Sequence, residues 1–418
     1  MRRRIVLSWI GVALATSCPL AAHATTRRMF VTTEMGSGDL STWPSSGGLD
    51  GIAGADNVCR TLATNAGLPR GSTFVAWMSD ATSDAYCRVH GFTGKRTANC
   101  GKPLLPTSAG PWVRTDGRPF GGPIPEVLDG SPDGGAVLAP PSVDQNGNAV
   151  AVGIQILTDT DTSGTWISGF DCSNWSSSSG NAVIGETGGG SGWWTYTGSS
   201  SCDTGRRLLC FDPGTGVPLP AYSSWGRTVF VTSATGNGDL STWGQSGGTG
   251  GLAGGDAICR KLATNAGLPN PHSFKAWLSS STTDAASRFQ NDGPWMRLDG
   301  IRVADGLADL VDGKLQAAID ETEQETYIGN PSVYPWYAWT GTQENGQHAT
   351  DLCSNWTSSS SGALGDHGDV PLAGLGWSFG YWDSCDTAKR LYCLSDLPLI
   401  FGDGFEGGDE SNWALTTP

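Results

Sequence analysis

The chain mixes short apolar runs with glycine- and serine-rich stretches, and one stretch has helical periodicity. Val58, Leu62 and Ala66 are spaced four residues apart, so they share one face of a helix. Gly67 and Pro69 predict its end, because glycine accepts the left-handed cap and proline cannot continue the helix. β-branched and aromatic runs predict strands at residues 29–33, 74–78 and 206–210. Strands separated by a single long helix predict an α+β domain.

The same pattern occurs a second time about 200 residues later. Residues 38–43 (GDLSTW) recur at 238–243, and residues 62–69 (LATNAGLP) recur at 262–269. CSNW at 172–175 likewise recurs at 353–356. A period of this length indicates domain duplication, because each copy can bury a core of its own.

The ends of the chain predict processing and export. An arginine triplet, an apolar run and Ala-His-Ala at 22–24 are typical of a cleaved secretory signal, and the apolar run is too short to span a bilayer. We therefore divide the chain into a signal peptide, a first copy, a Pro/Gly linker, a second copy and an acidic tail, at residues 1–24, 25–212, 213–226, 227–396 and 397–418. The expected location is extracellular or at the cell surface.

Ten cysteines lie beyond the signal peptide, an even number that favours structural disulfides in an exported protein. Cys87 and Cys100 occur only in the first copy and most simply close the inserted segment 88–99. The other eight form four equivalent positions, so four cysteines in each copy leave three possible connectivities.

The charge balance excludes several partners. Without the signal peptide the chain has 22 basic and 40 acidic residues, a net charge of −18. Such a surface repels nucleic acid, heparin-like polyanions and anionic membranes. Only 16% of the residues are charged and 61 are glycine, as is typical of loop-rich extracellular domains.

Several motifs together carry a family resemblance. GADNVC at 54–59, AGL at 66–68 and FVAW at 74–77 resemble the endostatin domain and its bacterial relatives, a family of exported domains. AWTGTQENG at 338–346 and the closing pair Cys385 and Cys393 are similar to the same family's hairpin and last strand. The resemblance covers nearly all of each copy and implies two tandem C-type-lectin-like domains, each a mixed, mostly antiparallel sheet with flanking helices. It also implies the pairs Cys59–Cys210, Cys172–Cys202, Cys259–Cys393 and Cys353–Cys385.

No confident metal site or cofactor is expected. Endostatin binds zinc through histidines near its start, whereas beyond the expected signal peptide this chain has four scattered ones, His90, His272, His348 and His367. The sugar-binding triplets of calcium-dependent lectins do not occur. Two oxygen-rich loops offer weak calcium candidates, Asp159 with Asp161 and, separately, Asp144, but an ordinary polar turn is the favoured interpretation of both.

Catalytic motifs are weak as well. Residues 244–248 match Gly-x-Ser-x-Gly around Ser246, yet the motif follows a polar run and the first copy has Pro44 where Gly244 stands. Carboxylate pairs such as Asp305 and Asp309 suit a solvated acidic face better than a glycosidase cleft. We therefore expect no enzyme activity.

Tryptophan is the remaining clue to binding. Five pairs of tryptophans align between the copies and are most simply core: 43/243, 77/277, 112/295, 175/356 and 193/377. Unshared tryptophans are candidates for recognising a partner, because the scaffold does not need them. The candidates within the two copies are Trp166, Trp194, Trp336, Trp339 and Trp382; Trp225 and Trp413 are also unshared.

These observations predict a secreted or surface-associated, non-catalytic binding or adhesion protein. Its variable loops, including 88–99, would contact an extracellular protein or glycan. Members of the bacterial family are implicated in adhesion to matrix and serum proteins, so the resemblance implies the same class of partner. The alternatives are a carbohydrate or cell-wall binding module and, less favoured, an extracellular hydrolase. The tail resembles a terminal motif of exported bacterial proteins, for which surface retention is one hypothesis.

Overall fold

A computed structural model describes residues 25–128, 135–220, 222, 227–290, 292–329 and 335–397. The expected signal peptide, Trp225 and residues 398–418 of the tail lie outside the described residues. Among the described helices, none is both long enough and apolar enough to cross a membrane.

The first copy contains eight strands and four helical segments among its described residues. In chain order they are β1 (Arg27–Val31), α1 (Gly51–Asn65), β2 (Val75–Ala76), α2 (Ala85–Val89), β3 (Trp112–Arg114), β4 (Pro119–Gly121), α3 (Ile124–Val127), β5 (Gln155–Leu157), α4 (Cys172–Trp175), β6 (Asn181–Glu186), β7 (Gly198–Ser201) and β8 (Leu209–Phe211).

The second copy repeats this order, without a counterpart of α2 in its described part. Its elements are β9 (Arg227–Val231), α5 (Gly251–Asn265), β10 (Phe274–Ala276), β11 (Trp295–Met296), β12 (Arg302–Ala304), α6 (Leu307–Leu310), β13 (Tyr337–Trp339), α7 (Cys353–Trp356), β14 (Leu364–Asp369), β15 (Tyr381–Ser384) and β16 (Arg390–Ser395).

Short 3₁₀ turns connect these elements. They lie at Leu40–Thr42, Pro44–Ser46, Gly71–Thr73, Arg96–Gly101, Leu240–Thr242, Pro271–Ser273, Ala286–Arg288 and Leu375–Trp377.

The predicted helix is confirmed in both copies. Helix α1 buries Val58, Cys59 and Ala63, and its second-copy counterpart α5 buries the equivalent side chains. Gly67 follows with a φ of 68°, the left-handed backbone that glycine adopts without strain. Both helices begin earlier than their apolar stripe suggests. Gly54 lets the first turn of α1 lie against the preceding loop, because a Cβ at this position would be 2.3 Å from the Leu49 carbonyl oxygen.

The strands form mixed sheets. In the second copy one sheet has the order β12-β11-β9-β16-β13-β14-β15, with β10 also paired to β16. In the first copy the equivalent strands form a five-stranded sheet, β2-β8-β1-β3-β4, and a three-stranded sheet, β5-β6-β7. The coarse prediction of an α+β protein with mixed sheets is therefore confirmed.

Each copy has apolar clusters on both sides of its central strands. Met29 and Val31 of β1 lie in one cluster, while Phe30 between them lies in another that includes helix α1. Phe230 and its neighbours in β9 divide in the same way. A strand buried on both faces reads as a continuous apolar run, as it does in the sequence here.

Five disulfides staple the described chain. They join Cys59–Cys210, Cys87–Cys100, Cys172–Cys202, Cys259–Cys393 and Cys353–Cys385. These are the four pairs implied by the family resemblance together with the pair expected to close the first-copy insert. Cys59–Cys210 and Cys259–Cys393 tie each long helix to the last strand of its copy across 151 and 134 residues.

The two copies touch, which their sequences leave open. Gly190 N donates to the Pro371 carbonyl at 2.7 Å, and Ala373 N donates to the Gly188 carbonyl at 2.9 Å. These bonds flank a bridge between Gly189 and Leu372. Since each of these two residues lies three positions after the end of its strand, β6 or β14, equivalent segments of the two copies meet and the contact is locally two-fold.

A buried charge group lies at the same interface. Arg297 is fully buried and pairs with Asp320 Oδ1 at 2.5 Å and with Asp299 Oδ2 at 2.6 Å. Its guanidinium also donates to the Val137 carbonyl of the first copy at 3.3 Å, and Asp320 Oδ2 accepts from Ser191 N at 3.2 Å. Burial raises the pKa of Asp320 to about 6 against the pull of Arg297, whereas the two carboxylates keep the pKa of Arg297 well above its usual value.

Candidate functional site

The most exposed aromatic side chains of the described chain lie along β15, the last strand of the second-copy sheet. Tyr381 and Trp382 are 73% and 61% exposed, and Phe379 just before the strand is 36% exposed. We call these three residues the aromatic edge. Large aromatic side chains in solvent favour a binding surface, because they bury much area with little loss of rotamer freedom.

The aromatic edge is specific to the second copy. The first-copy strand in the same register is β7, which reads Gly-Ser-Ser-Ser, and Ser199 stands where Trp382 stands. Both strands end their sheets, so the scaffold does not require aromatic residues at this edge. Aligning the sequences of β7 and β15 identifies both Tyr381 and Trp382. A comparison restricted to tryptophans misses Tyr381.

A buried lysine holds the aromatic edge against the sheet. Lys389 has no exposed side-chain surface, and its Nζ lies 2.7 Å from Asp383 Oδ2 on β15. The same Nζ lies 5.0 Å from the ring centre of Tyr337 and 4.8 Å from that of Trp339, within cation–π distance of both. This fixed support reduces the ordering that ligand binding at β15 would require.

Buried ionisable groups lie behind this support. Burial, with Lys389 as a second cause, lowers the pKa of His367 to about 3, so the imidazole is neutral. Burial raises the pKa of Asp369 to about 7, and the neighbouring charge of Glu186 from the first copy adds to the shift. Burial also raises the pKa of Glu186. Two acidic groups, one from each copy, therefore face each other near the junction.

The structure corrects two of the tryptophan candidates. Trp194 is fully buried and packs on Trp77 with ring centres 4.8 Å apart, as Trp377 packs on Trp277 at 5.5 Å. Trp194, and not Trp193, is therefore the counterpart of Trp377, and it belongs to the shared core. The sequence alignment placed the pair one residue too early because Trp193 and Trp194 are adjacent.

Trp339 is also fully buried, so it cannot contact a ligand at the surface. It lies under Lys389 and packs on Trp356 with ring centres 6.0 Å apart. The other two candidates are partly buried. Trp336 lies 6.4 Å from Trp193 across the junction of the copies, and Trp166 packs under the ammonium of Lys95 at 4.6 Å. Among the five candidates, only Trp382 is largely exposed.

The first-copy insert 88–99 offers a second exposed surface. Its Arg88 points inward and pairs with Asp56, while Thr93, Thr97 and Ala98 are exposed. Leu104, just after the closing cysteine, is 81% exposed. The insert is thus available for contacts, although it presents mainly small side chains.

Two of the three calcium candidates have structural roles. Asp161 Oδ1 accepts hydrogen bonds from Ser163 N and Thr165 N at 2.9 and 2.8 Å. Asp144 Oδ1 accepts from Asn146 N and Asn148 N at 2.7 and 3.0 Å. Carboxylates used in this way cap their own turns, which supports the polar-turn interpretation for both residues.

Asp159 differs from these two. It is fully buried, and neither carboxylate oxygen accepts a hydrogen bond. Burial raises its pKa to about 8, and the charge of Asp171 adds to the shift. No three or more His, Cys, Asp or Glu side chains are arranged to hold a metal within the described ranges, so any ion here would have at most a pair of carboxylates.

The weak catalytic motifs also have ordinary roles. Ser246 is buried and donates to the Trp243 carbonyl at 2.8 Å, and its first-copy counterpart Ser46 caps a turn in a similar way. Asp305 and Asp309 are joined through Gln316, whose Nε2 lies 2.9 and 2.7 Å from their carboxylates on the exposed surface. These contacts account for each group without a reaction.

In comparisons with known proteins, no family model matches this chain, and no curated protein is significantly similar to it.

Proposed function

We propose that the chain is an exported, non-catalytic binding protein that recognises an extracellular protein through the aromatic edge of its second copy. The proposal rests mainly on one observation. Tyr381 and Trp382 are exposed on an edge strand whose first-copy counterpart carries glycine and serine. The first copy forms the same strand without aromatic residues, and large apolar rings exposed to solvent are unfavourable. A binding partner that covers the rings explains both observations.

Several further features agree with this proposal. Five disulfides are typical of proteins that work in an oxidising compartment. The repeated strand order and the bond from each long helix to a last strand support endostatin-like domains of C-type-lectin-like fold. The clamp of Lys389 on Asp383 supports a surface that is already ordered before its partner arrives.

A glycan is the second candidate ligand. Tyr381 and Trp382 expose their rings at adjacent positions of β15. An exposed aromatic ring can stack on the apolar face of a sugar. The first copy lacks this combination at β7.

The test is a binding screen of residues 25–418 against matrix proteins and a glycan array. Trp382→Ser and Tyr381→Ser give the second copy the character of β7, and we expect each to weaken binding about tenfold or more, as for a central aromatic contact. Leu104→Ser is the matched control, because Leu104 is also a largely exposed apolar residue but lies beside the first-copy insert.

The outcomes distinguish the candidates. Loss of protein binding in the β15 variants alone supports the main proposal, and loss of glycan binding in the same variants supports the second. If Leu104→Ser abolishes binding and Trp382→Ser does not, the ligand contacts the insert and the aromatic edge is the wrong surface. If the chain binds neither class, the proposal of a binding protein fails.

A further inference from the structure

Asp159 occupies a position that is unfavourable for an aspartate in two ways. Its φ is 44°, in the left-handed region where a non-glycine residue is strained. Its carboxylate is fully buried, with no hydrogen bond to either oxygen. A buried carboxylate without partners costs several kcal/mol, on the order of the desolvation of a polar group or more. Either a bound proton or a bound cation must offset this cost.

The second copy shows which way the side chain points. Asp159 precedes Thr160, whose hydroxyl lies 2.9 Å from Ser79 Oγ, and Gly341 precedes Thr342, whose hydroxyl lies 2.8 Å from Ser279 Oγ. Gly341 has nearly the same backbone, with a φ of 52°. Positions 159 and 341 are therefore equivalent.

A Cβ placed on Gly341 would lie 2.5 Å from Leu352 Cδ2. Leu352 directly precedes Cys353 and bridges to β14, as Asp171 directly precedes Cys172 and bridges to β6. The same Cβ would lie 2.7 Å from Trp356 Cζ2, so the side chain of Asp159 is directed at Asp171 and at Trp175, the counterpart of Trp356. Where the first copy brings two carboxylates together, the second copy has a glycine and a leucine.

The nearby polar groups are already used. Lys95 is held by Asp84 Oδ1 at 3.2 Å and by the Asp80 carbonyl. Asp171 Oδ1 accepts from Asn174 N at 3.1 Å, which orients the carboxylate group. The indole of Trp166 lies close to Asp159, yet its Nε1 completes no hydrogen bond. Among the residues that the structure describes, no cationic side chain therefore pairs with Asp159.

We infer that the first copy binds a divalent cation of the calcium class between Asp159 and Asp171, and that the second copy does not. Calcium takes six to eight oxygen ligands, and two carboxylates with backbone carbonyls and water satisfy this preference. The inference is independent of the proposed binding function, since the aromatic edge belongs to the other copy. The dissociation constant should be about 10⁻⁴–10⁻³ M, as for other extracellular modules.

The test is thermal unfolding of residues 25–418, with disulfides intact, after EDTA treatment and during titration with CaCl₂ to about 10 mM, checked by calorimetric titration. We expect CaCl₂ to raise the midpoint by several degrees, since a ligand that binds only the native state stabilises it. Asp159→Asn and Asp171→Asn should abolish the response. The pair Asp159→Gly with Asp171→Leu copies the second copy and should give a folded chain that does not respond.

Asp161→Asn is the matched control, because Asp161 belongs to the same loop but caps its own turn. It should keep the calcium response. The inference is overturned if CaCl₂ has no effect on the parent chain, or if the effect persists in Asp159→Asn or in the glycine–leucine pair. If CaCl₂ has no effect on the parent chain and Asp159→Asn raises the unfolding midpoint, the site holds a bound proton and not a cation.

Discussion

Neutralising Asp369 should stabilise the protein at alkaline pH and have little effect at acid pH. Burial and the adjacent charge of Glu186 raise the pKa of Asp369 from 3.8 to about 7. An acid with a raised pKa binds its proton more tightly in the folded state, so its contribution to stability is present below the unfolded pKa and is lost as the pH rises through the folded pKa. A shift of about three units corresponds to about 4 kcal/mol.

The assay is urea unfolding of the parent chain and of Asp369→Asn at about pH 4.5 and about pH 8. We expect similar stabilities at the lower pH and an advantage of about 2–4 kcal/mol for the variant at the higher pH, where the parent must bury a charge beside Glu186. Asp386→Asn changes an exposed carboxylate near the same strand and should not produce this pH-dependent difference. An equal effect of Asp369→Asn at both pH values would refute the reasoning.

Three further changes test other parts of the structure. Trp339→Ala should cost about 3–5 kcal/mol in urea unfolding, because it empties a fully buried site, whereas Trp382→Ala should cost less than about 1 kcal/mol. Gly329→Ala should destabilise the contact between the copies, since its Cβ would lie 2.1 Å from the Ser191 carbonyl oxygen. Gly244→Ala is the control and should be neutral, because its Cβ would meet no atom within 4 Å. Equal melting temperatures of the two variants would contradict the observed junction. Replacing Cys87 and Cys100 by serine should cost about 3 kcal/mol from the entropy of a loop of this length, and an unchanged unfolding midpoint would count against that account.

The sequence predicts the parts of the fold that depend on local signals. The spacing of Val58 and Leu62 and the stop at Gly67 locate helix α1, because periodicity and a left-handed cap act within a few residues. The pairing Cys59–Cys210 follows from the family resemblance, whereas the residues alone leave three connectivities. Because the sequence is duplicated, each copy can be compared with the other, and this comparison identifies the insert closed by Cys87 and Cys100.

The candidate sites were harder to predict, since exposure depends on contacts between distant segments. Trp339 is unshared in the sequence, yet Lys389, which directly precedes β16, covers it from far along the chain. The sequence comparison pairs Trp193 with Trp377 and leaves Trp194 unshared, because only the packing of Trp194 on Trp77 distinguishes the two neighbours. The sequence marks Asp159 only as a weak calcium candidate in a loop best interpreted as a polar turn, and its proximity to Asp171 becomes visible only when the loop is placed beside the turn before Cys172.

The locally two-fold contact between residues 188–190 and 371–373 has a consequence for how such a protein diverges. A single-copy relative with the same interface would need a second molecule, so its pairing would depend on concentration. Covalent fusion makes that encounter intramolecular, and the effective concentration no longer falls on dilution. In the fused chain each copy has its own sequence, so a substitution in one copy leaves the other unchanged. An acidic pair could thus arise in one copy and an aromatic strand in the other, giving one molecule two different faces at a fixed separation.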